Sequence, residues 1–424
     1  SGNDLLLVYH KDYGEDEVLP DGKTVVSINF TGDNHGPHSY ERVKKIYADL
    51  RKRYPQAQLV GASFNDVARE LLLIKKDLPV VTSEIGDTWI FGYGGAPIRM
   101  AKFRAVSRLY SQWLNEGKIK KDSDVALDFA AELGLIAEHT QGVDVKTHLR
   151  QWDKYDMDKF LKGRSEGVFS MAEASWKEID NYIDSAIAFL PASLQKEARE
   201  VVAEVDKVKL EDNSKMKPMA RKRWEQPIAG GMTLAGLSYQ MFDGDDYDDF
   251  QNRYLRARYE WALDDLGKRG LKESHAVSVT LYAQTMAQSV RKEKKGTRII
   301  TELRFPENEK VDKRVYPERI QVNCFTTKNG KRSEVALTIY GKPAVRLPES
   351  YWLSFTVPGI ELVIAEKMGE RVNLMDVVEK GNRQMHGIDR YVDLITSGET
   401  IRISSKEAFL LNVGEAQGLN YSTN

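Results

Sequence analysis

The sequence predicts a multidomain α/β + α + β chain, with part of a βα barrel over residues 1–98, a helical bundle over 99–210 and an antiparallel, sandwich-like β region over 211–424. Three observations predict it. Short apolar runs alternate with amphipathic stretches in the first part. Apolar residues at helical spacing dominate the middle. Thr-, Val-, Ile- and Tyr-rich runs parted by turn residues fill the last part.

The first part carries apolar runs at 5–9 (LLLVY), 24–29 (TVVSIN), 58–60 (QLV) and 78–82 (LPVVT). Continuous apolar runs of this length suit strands buried on both faces. Between them, Val43, Ile46, Tyr47, Leu50 and Tyr54 recur at the spacing of a helix face. Ser63 suits an N-cap with Asp66 in the first turn, and Val67, Leu71 and Ile74 follow at intervals of three and four. Strands alternating with helices predict a parallel sheet or barrel.

Three faces mark the bundle: Phe103, Val106, Leu109, Tyr110 and Trp113; the stretch 124–135; and Trp176, Ile179, Tyr182, Ile183 and Ile187. Gly117, Gly142, Gly163 and Pro191 punctuate them. In the last part, strands are expected near 276–282, 297–305, 319–326, 334–340, 351–357, 362–367 and 401–404. A helical segment at 245–266 interrupts them, and its acidic opening (DDYDDF) suits a helix N-terminus. It lacks the spaced ligands and closing Glu of a calcium loop.

At roughly 100–200 residues per domain, 424 residues suit two to four domains. Lys and Arg number 62 against 63 Asp and Glu, so the net charge of −1 supplies no field for nucleic acid or anionic lipid. The single cysteine, Cys324, excludes an intrachain disulfide and reads as a buried thiol in an apolar run. No run reaches about 18 apolar residues, so no membrane-spanning helix is expected. The opening Ser-Gly-Asn-Asp does not read as a signal peptide.

Three clusters carry chemistry. The first is Gly32-Asp33-Asn34-His35-Gly36-Pro37-His38, after the run at 24–29. At the C-terminal end of a barrel strand, a carboxylate can serve as a general acid beside imidazoles that titrate near neutrality. The same residue types also make a turn and a helix cap. The second is Glu84-Ile85-Gly86-Asp87-Thr88-Trp89, where carboxylates accept sugar hydroxyls and an indole face packs on a pyranose ring. A capping Asp beside a packing Trp is the plainer alternative. The third runs from Glu138-His139 through Asp144 to His148. His139 is a candidate metal ligand and Asp144 a candidate partner behind it, against the alternative of a structural histidine. No HExxH, CxxC pair, GxSxG elbow or phosphate loop is present.

The order of these clusters, from VVSINFTGDNHGPH to VVTSEIGDTWIFG, resembles the later half of the catalytic barrel of glycoside hydrolase family 38, the retaining α-mannosidases. The phrases GDTWIFG, EHTQGVDVKTHL, RLPESYWLSF and NRQMHGIDRYVDL resemble most closely a mostly bacterial branch of that superfamily known as a domain of unknown function (DUF5054-like). They reach from about residue 24 to 410. The resemblance implies a zinc-assisted retaining hydrolase of α-linked glycans. It implies Asp33 as acid/base, His139 as zinc ligand, and Asn34, Glu84, Asp87 and Trp89 as sugar contacts. By analogy it also implies a periplasmic or secreted setting.

Three departures matter. The family's leading barrel strands, with their His-x-Asp zinc ligands and aspartate nucleophile, have no counterpart in these 424 residues. They are expected in a preceding part of the same protein, which is the expected partner beside a carbohydrate substrate. Asn34 stands where the mannosidases carry the second aspartate of their pair. The β region is expected to stop short near residues 421–424. The alternative reading is a non-catalytic carbohydrate-binding or assembly protein on a mannosidase-like scaffold.

Overall fold

A computed structural model describes residues 5–8, 14–32, 35–85, 91–138, 141–220, 224–255 and 259–419. The chain divides into two compact units, Ser1–Thr82 and Ser83–Asn424.

In the first unit, β1 (Asp16–Val18) pairs antiparallel with β2 (Val25–Ser27). Helices α1 (Tyr40–Arg53) and α2 (Phe64–Leu73) follow. Ser39 caps α1 by accepting from the Arg42 amide. Ser63 and Asp66 form a capping box on α2, the cap that the sequence predicts. Asp16 ties the hairpin to the end of α1, accepting from Tyr54 Oη at 2.8 Å and from Arg53. A small core gathers Leu19, Val26 and Leu71.

The expected parallel strands do not form here among the described residues. Residues 58–60 and 78–82 join no strand ladder, and Val80 and Val81 are 85% and 65% exposed. Helix α1 buries none of its residues. An apolar run becomes a strand only when neighbouring strands accept its backbone hydrogen bonds and cover its faces. The described residues of this unit supply no such neighbours to these runs.

The second unit begins with helices α3 (Phe91–Gly94), α4 (Pro97–Asn115), α5 (Asp124–Gly134), α6 (Val145–His148), α7 (Met157–Ser165), α8 (Ser170–Ala188) and α9 (Ala192–Val205). The predicted apolar faces meet in one core of Val106, Trp113, Phe129, Ile183 and Ile187. Trp113 is fully buried, and its indole donates to Glu197 of α9 at 2.9 Å. A buried indole N–H left unpaired would cost more than the bond contributes, so this contact fixes how α4 and α9 pack.

The strands are β3 (Lys217–Pro218), β4 (Gln226–Pro227), β5 (Thr233–Met241), β6 (Val279–Tyr282), β7 (Gln284–Lys292), β8 (Gly296–Arg304), β9 (Arg319–Thr327), β10 (Ser333–Tyr340), β11 (Glu349–Thr356), β12 (Ile360–Lys367), β13 (Glu370–Asn373), β14 (Met385–Gly387), β15 (Tyr391–Thr396), β16 (Thr400–Ser404) and β17 (Leu410–Asn412). All their ladders are antiparallel. One sheet runs β10-β9-β8-β7-β3, and a second runs β11-β5-β4 with β6 also on β5. Leu237 and Tyr239 of β5 share a core with Ile320 and Val322 of β9, so these two sheets face each other. A third sheet, β13-β12-β15-β16, closes around Val363, Ala365 and Val392. The chain is thus an α/β mixture with a β-rich C-terminal region.

The segment predicted as one helix over 245–266 is broken. It contains α10 (Gly244–Phe250), a π-helical turn at Gln251–Leu255 and α11 (Glu260–Leu266). Asp243 and Asp246 form a capping box at its start, so two of its carboxylates are spent on backbone amides. Among the described residues no helix is long and apolar enough to cross a membrane.

Candidate functional site

The first chemical cluster lies in the loop between β2 and α1. Gly32 adopts a φ of +125°, which favours glycine. The loop is closed by Thr31 Oγ1 donating to the Gly36 carbonyl at 2.8 Å and by His38 Nε2 meeting the Asn29 carbonyl at 2.9 Å. A carbonyl only accepts, so His38 Nε2 carries the proton in this contact. Asp33 and Asn34, the expected acid/base and its neighbour, lie outside the described residues.

The second cluster opens on Glu84. Its backbone forms an isolated parallel bridge with Val377: the Glu84 amide donates to the Asp376 carbonyl at 2.8 Å, and the Val378 amide donates to the Glu84 carbonyl at 2.9 Å. Ser83 Oγ donates to Asp376 Oδ1 at 2.7 Å. The Glu84 carboxylate pairs with Lys367 of β12 at 3.0 Å, with the two side chains 19% and 23% exposed. Glu84 therefore anchors this stretch to the 376–378 loop. Asp87 and Trp89, which follow it, lie outside the described residues.

The third cluster is held from both sides. Gln141 Nε2 donates to the Glu138 carbonyl at 2.7 Å, and Gln141 Oε1 accepts from the buried Arg99 at 3.1 Å. Arg99 also donates to Asp180 of α8 at 2.5 Å and to the Trp176 carbonyl at 2.9 Å. The Trp176 indole returns a bond to the Gln141 carbonyl at 2.8 Å. Gly142, at φ +109°, lies so close to α8 that a Cβ would fall 2.7 Å from Ser175 Oγ and 2.8 Å from the Trp176 ring. Only glycine meets both conditions without strain. Asp144 accepts from Thr147 Oγ1 at 2.6 Å, and its carbonyl accepts the amide of His148, the last residue of α6. His139 lies outside the described residues, between these two fixed flanks.

The second and third clusters come together at their flanks. Tyr93 of α3 donates its hydroxyl to the Ala137 carbonyl, directly before Glu138. The Tyr93 ring meets Phe409 edge-on with centroids 6.4 Å apart, and a Cβ on Gly94 would sit 3.2 Å from Leu410 of β17. One corner of the second unit therefore gathers α3, the 137–144 segment and β17. The first cluster belongs to the other unit.

This corner includes residues to which the sequence reading gave no role. Asn382 accepts from the Gln384 and Met385 amides and turns the chain into β14. His386 is 2% exposed, and its Nε2 meets the Arg383 carbonyl at 3.0 Å, so Nε2 bears the proton and the neutral ring leaves Nδ1 as an acceptor. Burial pulls the His386 pKa below its ordinary value; the Arg383 contact and the Glu84 charge oppose this, and the Lys367 charge adds to it. Gln384 Oε1, Arg383 Nε and Asn412 Oδ1 are buried without a hydrogen-bond partner among the described residues. Buried unpaired polar atoms are costly, so this cluster calls for a partner. The NRQMHG string carried this signal in the sequence as a resemblance, but polar residues in no simple period disclose no role.

The zinc expectation rests on His139. Among the described residues no three His, Cys, Asp or Glu side chains gather as a metal-holding group. The described part of the corner thus offers no donor set of its own for zinc.

The family described as "Domain of unknown function (DUF5054)" matches residues 94–226, from the end of α3 through α9 to β4. Comparison with curated proteins and with solved structures finds no match.

Proposed function

We propose that the chain is part of a glycoside hydrolase-like protein acting on α-linked glycans, retaining and metal-assisted in the complete protein. The observation that carries this reading is the Tyr93–Ala137 hydrogen bond, which joins the flanks of two chemistry-bearing stretches remote in sequence. The match to the domain of unknown function agrees with the branch that the sequence resembles. The finer assignment to the α-mannosidase superfamily rests on the sequence resemblance alone.

In this reading Asp33 is the acid/base, and Asn34, Glu84, Asp87 and Trp89 contact the sugar. Retaining chemistry needs a second carboxylate as nucleophile, roughly 5–5.5 Å from the acid/base. Zinc, held by His139 with ligands from elsewhere in the complete protein, would orient hydroxyls and offset developing charge. The Glu84 carboxylate pairs with Lys367, and in this reading its oxygens would accept hydroxyl hydrogen bonds from the sugar.

The barrel also belongs to this proposal. The exposed apolar runs at 58–60 and 78–82 have the composition of doubly buried strands. Further βα units of the complete protein would cover them.

Asn34 favours a second reading, a carbohydrate-binding or assembly protein without turnover. Assay of the complete protein on aryl α-glycosides separates the two. The first reading predicts hydrolysis with retained anomeric configuration and a loss of about 10²–10⁴-fold in Asp33→Ala. Sugar binding without any turnover would replace it by the second.

A further inference from the structure

The turn at 267–271, which follows α11, is locked against the 151–155 segment. Tyr155 donates its hydroxyl to the Arg269 carbonyl at 3.0 Å. Gly270, at φ +81°, approaches so closely that a Cβ would fall 2.1 Å from the Trp152 carbonyl oxygen. Directly before these contacts Lys268 is held at φ +53°, a conformation that non-glycine residues rarely adopt and that tends to persist at functional sites.

The turn brings a cation to an aromatic floor that already holds another. Tyr155 and Tyr247 share one buried cluster with Phe242 and Leu271. Lys268 Nζ stands over the Tyr247 ring, 6.0 Å from its centroid. Arg346, the first residue of the RLPESYWLSF string, lies over Tyr155 at 4.7 Å and Phe169 at 5.3 Å. Its Nη1 donates to the Gln151 carbonyl. Among the described residues no carboxylate lies within ion-pair distance of either cation. Asp153 pairs with Lys154 at 3.4 Å, and Asp265 acts on Lys268 only through space. Burial pulls both cations below their usual pKa ranges, and the Arg346 charge adds to the effect on Lys268. Asp265 and Asp153 act on these cations only at longer range. Two partly desolvated cations with no carboxylate at ion-pair distance among the described residues are an unfavourable arrangement unless something negative completes it.

We propose that Lys268 and Arg346 together bind a small oxyanion, a carboxylate or a sulfate or phosphate ester, carried by a ligand of this protein. Arg346 Nε and Nη2 donate to no protein group among the described residues, which leaves a fork suited to two oxygens of one anion. Lys268 supplies the point charge beside it. The site shares no residue with the corner built around Tyr93, and it stands whether or not the hydrolase reading holds.

The test is thermal unfolding of the full chain in sodium sulfate, sodium glucuronate and sodium chloride at matched ionic strength. The expected result is a saturable rise in Tm with sulfate or glucuronate and none with chloride. Response to glucuronate alone assigns a carboxylate, and response to sulfate alone an ester. Lys268→Met and Arg346→Met should each lose the saturable part, and Lys268→Arg should keep it. An equal or unsaturable rise in chloride, or a full response in Lys268→Met, overturns the proposal. Should the variants not fold, lysine-methyl NMR of the wild-type chain decides. The Lys268 resonance should titrate at higher pH in saturating sulfate or glucuronate, and a titration unmoved by both overturns the proposal.

Discussion

The Tyr93 hydroxyl donates to the Ala137 carbonyl across 44 residues of sequence. One end of this bond follows the Glu84–Trp89 stretch and the other precedes Glu138 and His139. Tyr93→Phe keeps the ring on Phe409 and removes only the donor. It should cost about 1 kcal/mol in urea unfolding. It should also weaken binding of a sugar ligand more than a surface substitution of equal cost. Unchanged stability and unchanged binding together would show that the bond does not hold the corner.

Gly142→Ala should cost about 2–3 kcal/mol, since φ +109° disfavours any side chain and α8 leaves no room for one. Its melting transition checks the cost. Tryptophan fluorescence checks the mechanism, because the displaced contact is the Trp176 ring. A neutral substitution would mean that the 138–144 segment is not held against α8.

His386 predicts a pH dependence. Its folded pKa lies below the ordinary value of 6.5, so the unfolded chain binds the proton more readily. Stability is therefore full above that value and falls as pH drops through the window between the unfolded and the lowered folded pKa. His386→Gln should flatten this slope in denaturant midpoints taken between pH 5 and 8. An identical slope in the variant would assign the dependence to other groups.

Asp393 is 1% exposed on β15 and accepts from Arg402 at 2.7 and 2.9 Å, with Arg371 at 3.0 Å. Both arginines are half exposed, so Asp393→Ala should cost about 2 kcal/mol, less than a fully buried pair. The Arg402 hydrogen bonds hold the Asp393 carboxyl below its usual pKa. Its contribution is present above the unfolded value of 3.8 and is lost as pH falls through the folded one. Acid unfolding midpoints of the variant and wild type should converge at low pH; a constant difference would contradict the ion-pair account.

Local signals in the sequence were read well where they are self-sufficient. Ser63 caps α2, the face from Phe103 to Trp113 enters the bundle core, and the run predicted at 334–340 becomes β10. Strands β5 and β15 went unread because Gly236 and Ser238 dilute the first and a buried Asp393 interrupts the second. Only the tertiary partners Arg371 and Arg402 explain that aspartate. The runs at 58–60 and 78–82 are apolar enough for strands but lack neighbours, which composition cannot reveal. Of the six residues expected at the site, Glu84 is described and forms an ion pair; Asp33, Asn34, Asp87, Trp89 and His139 lie outside the described residues. Tyr93 was not legible because a contact to a backbone carbonyl leaves no pattern in the sequence.

The most direct test of the central claim is metal analysis of the complete protein beside its His139→Ala variant. The account predicts one zinc per chain in the wild type and its loss in a variant that still folds. Absence of zinc from the wild-type protein, or undiminished zinc in the folded variant, would contradict it.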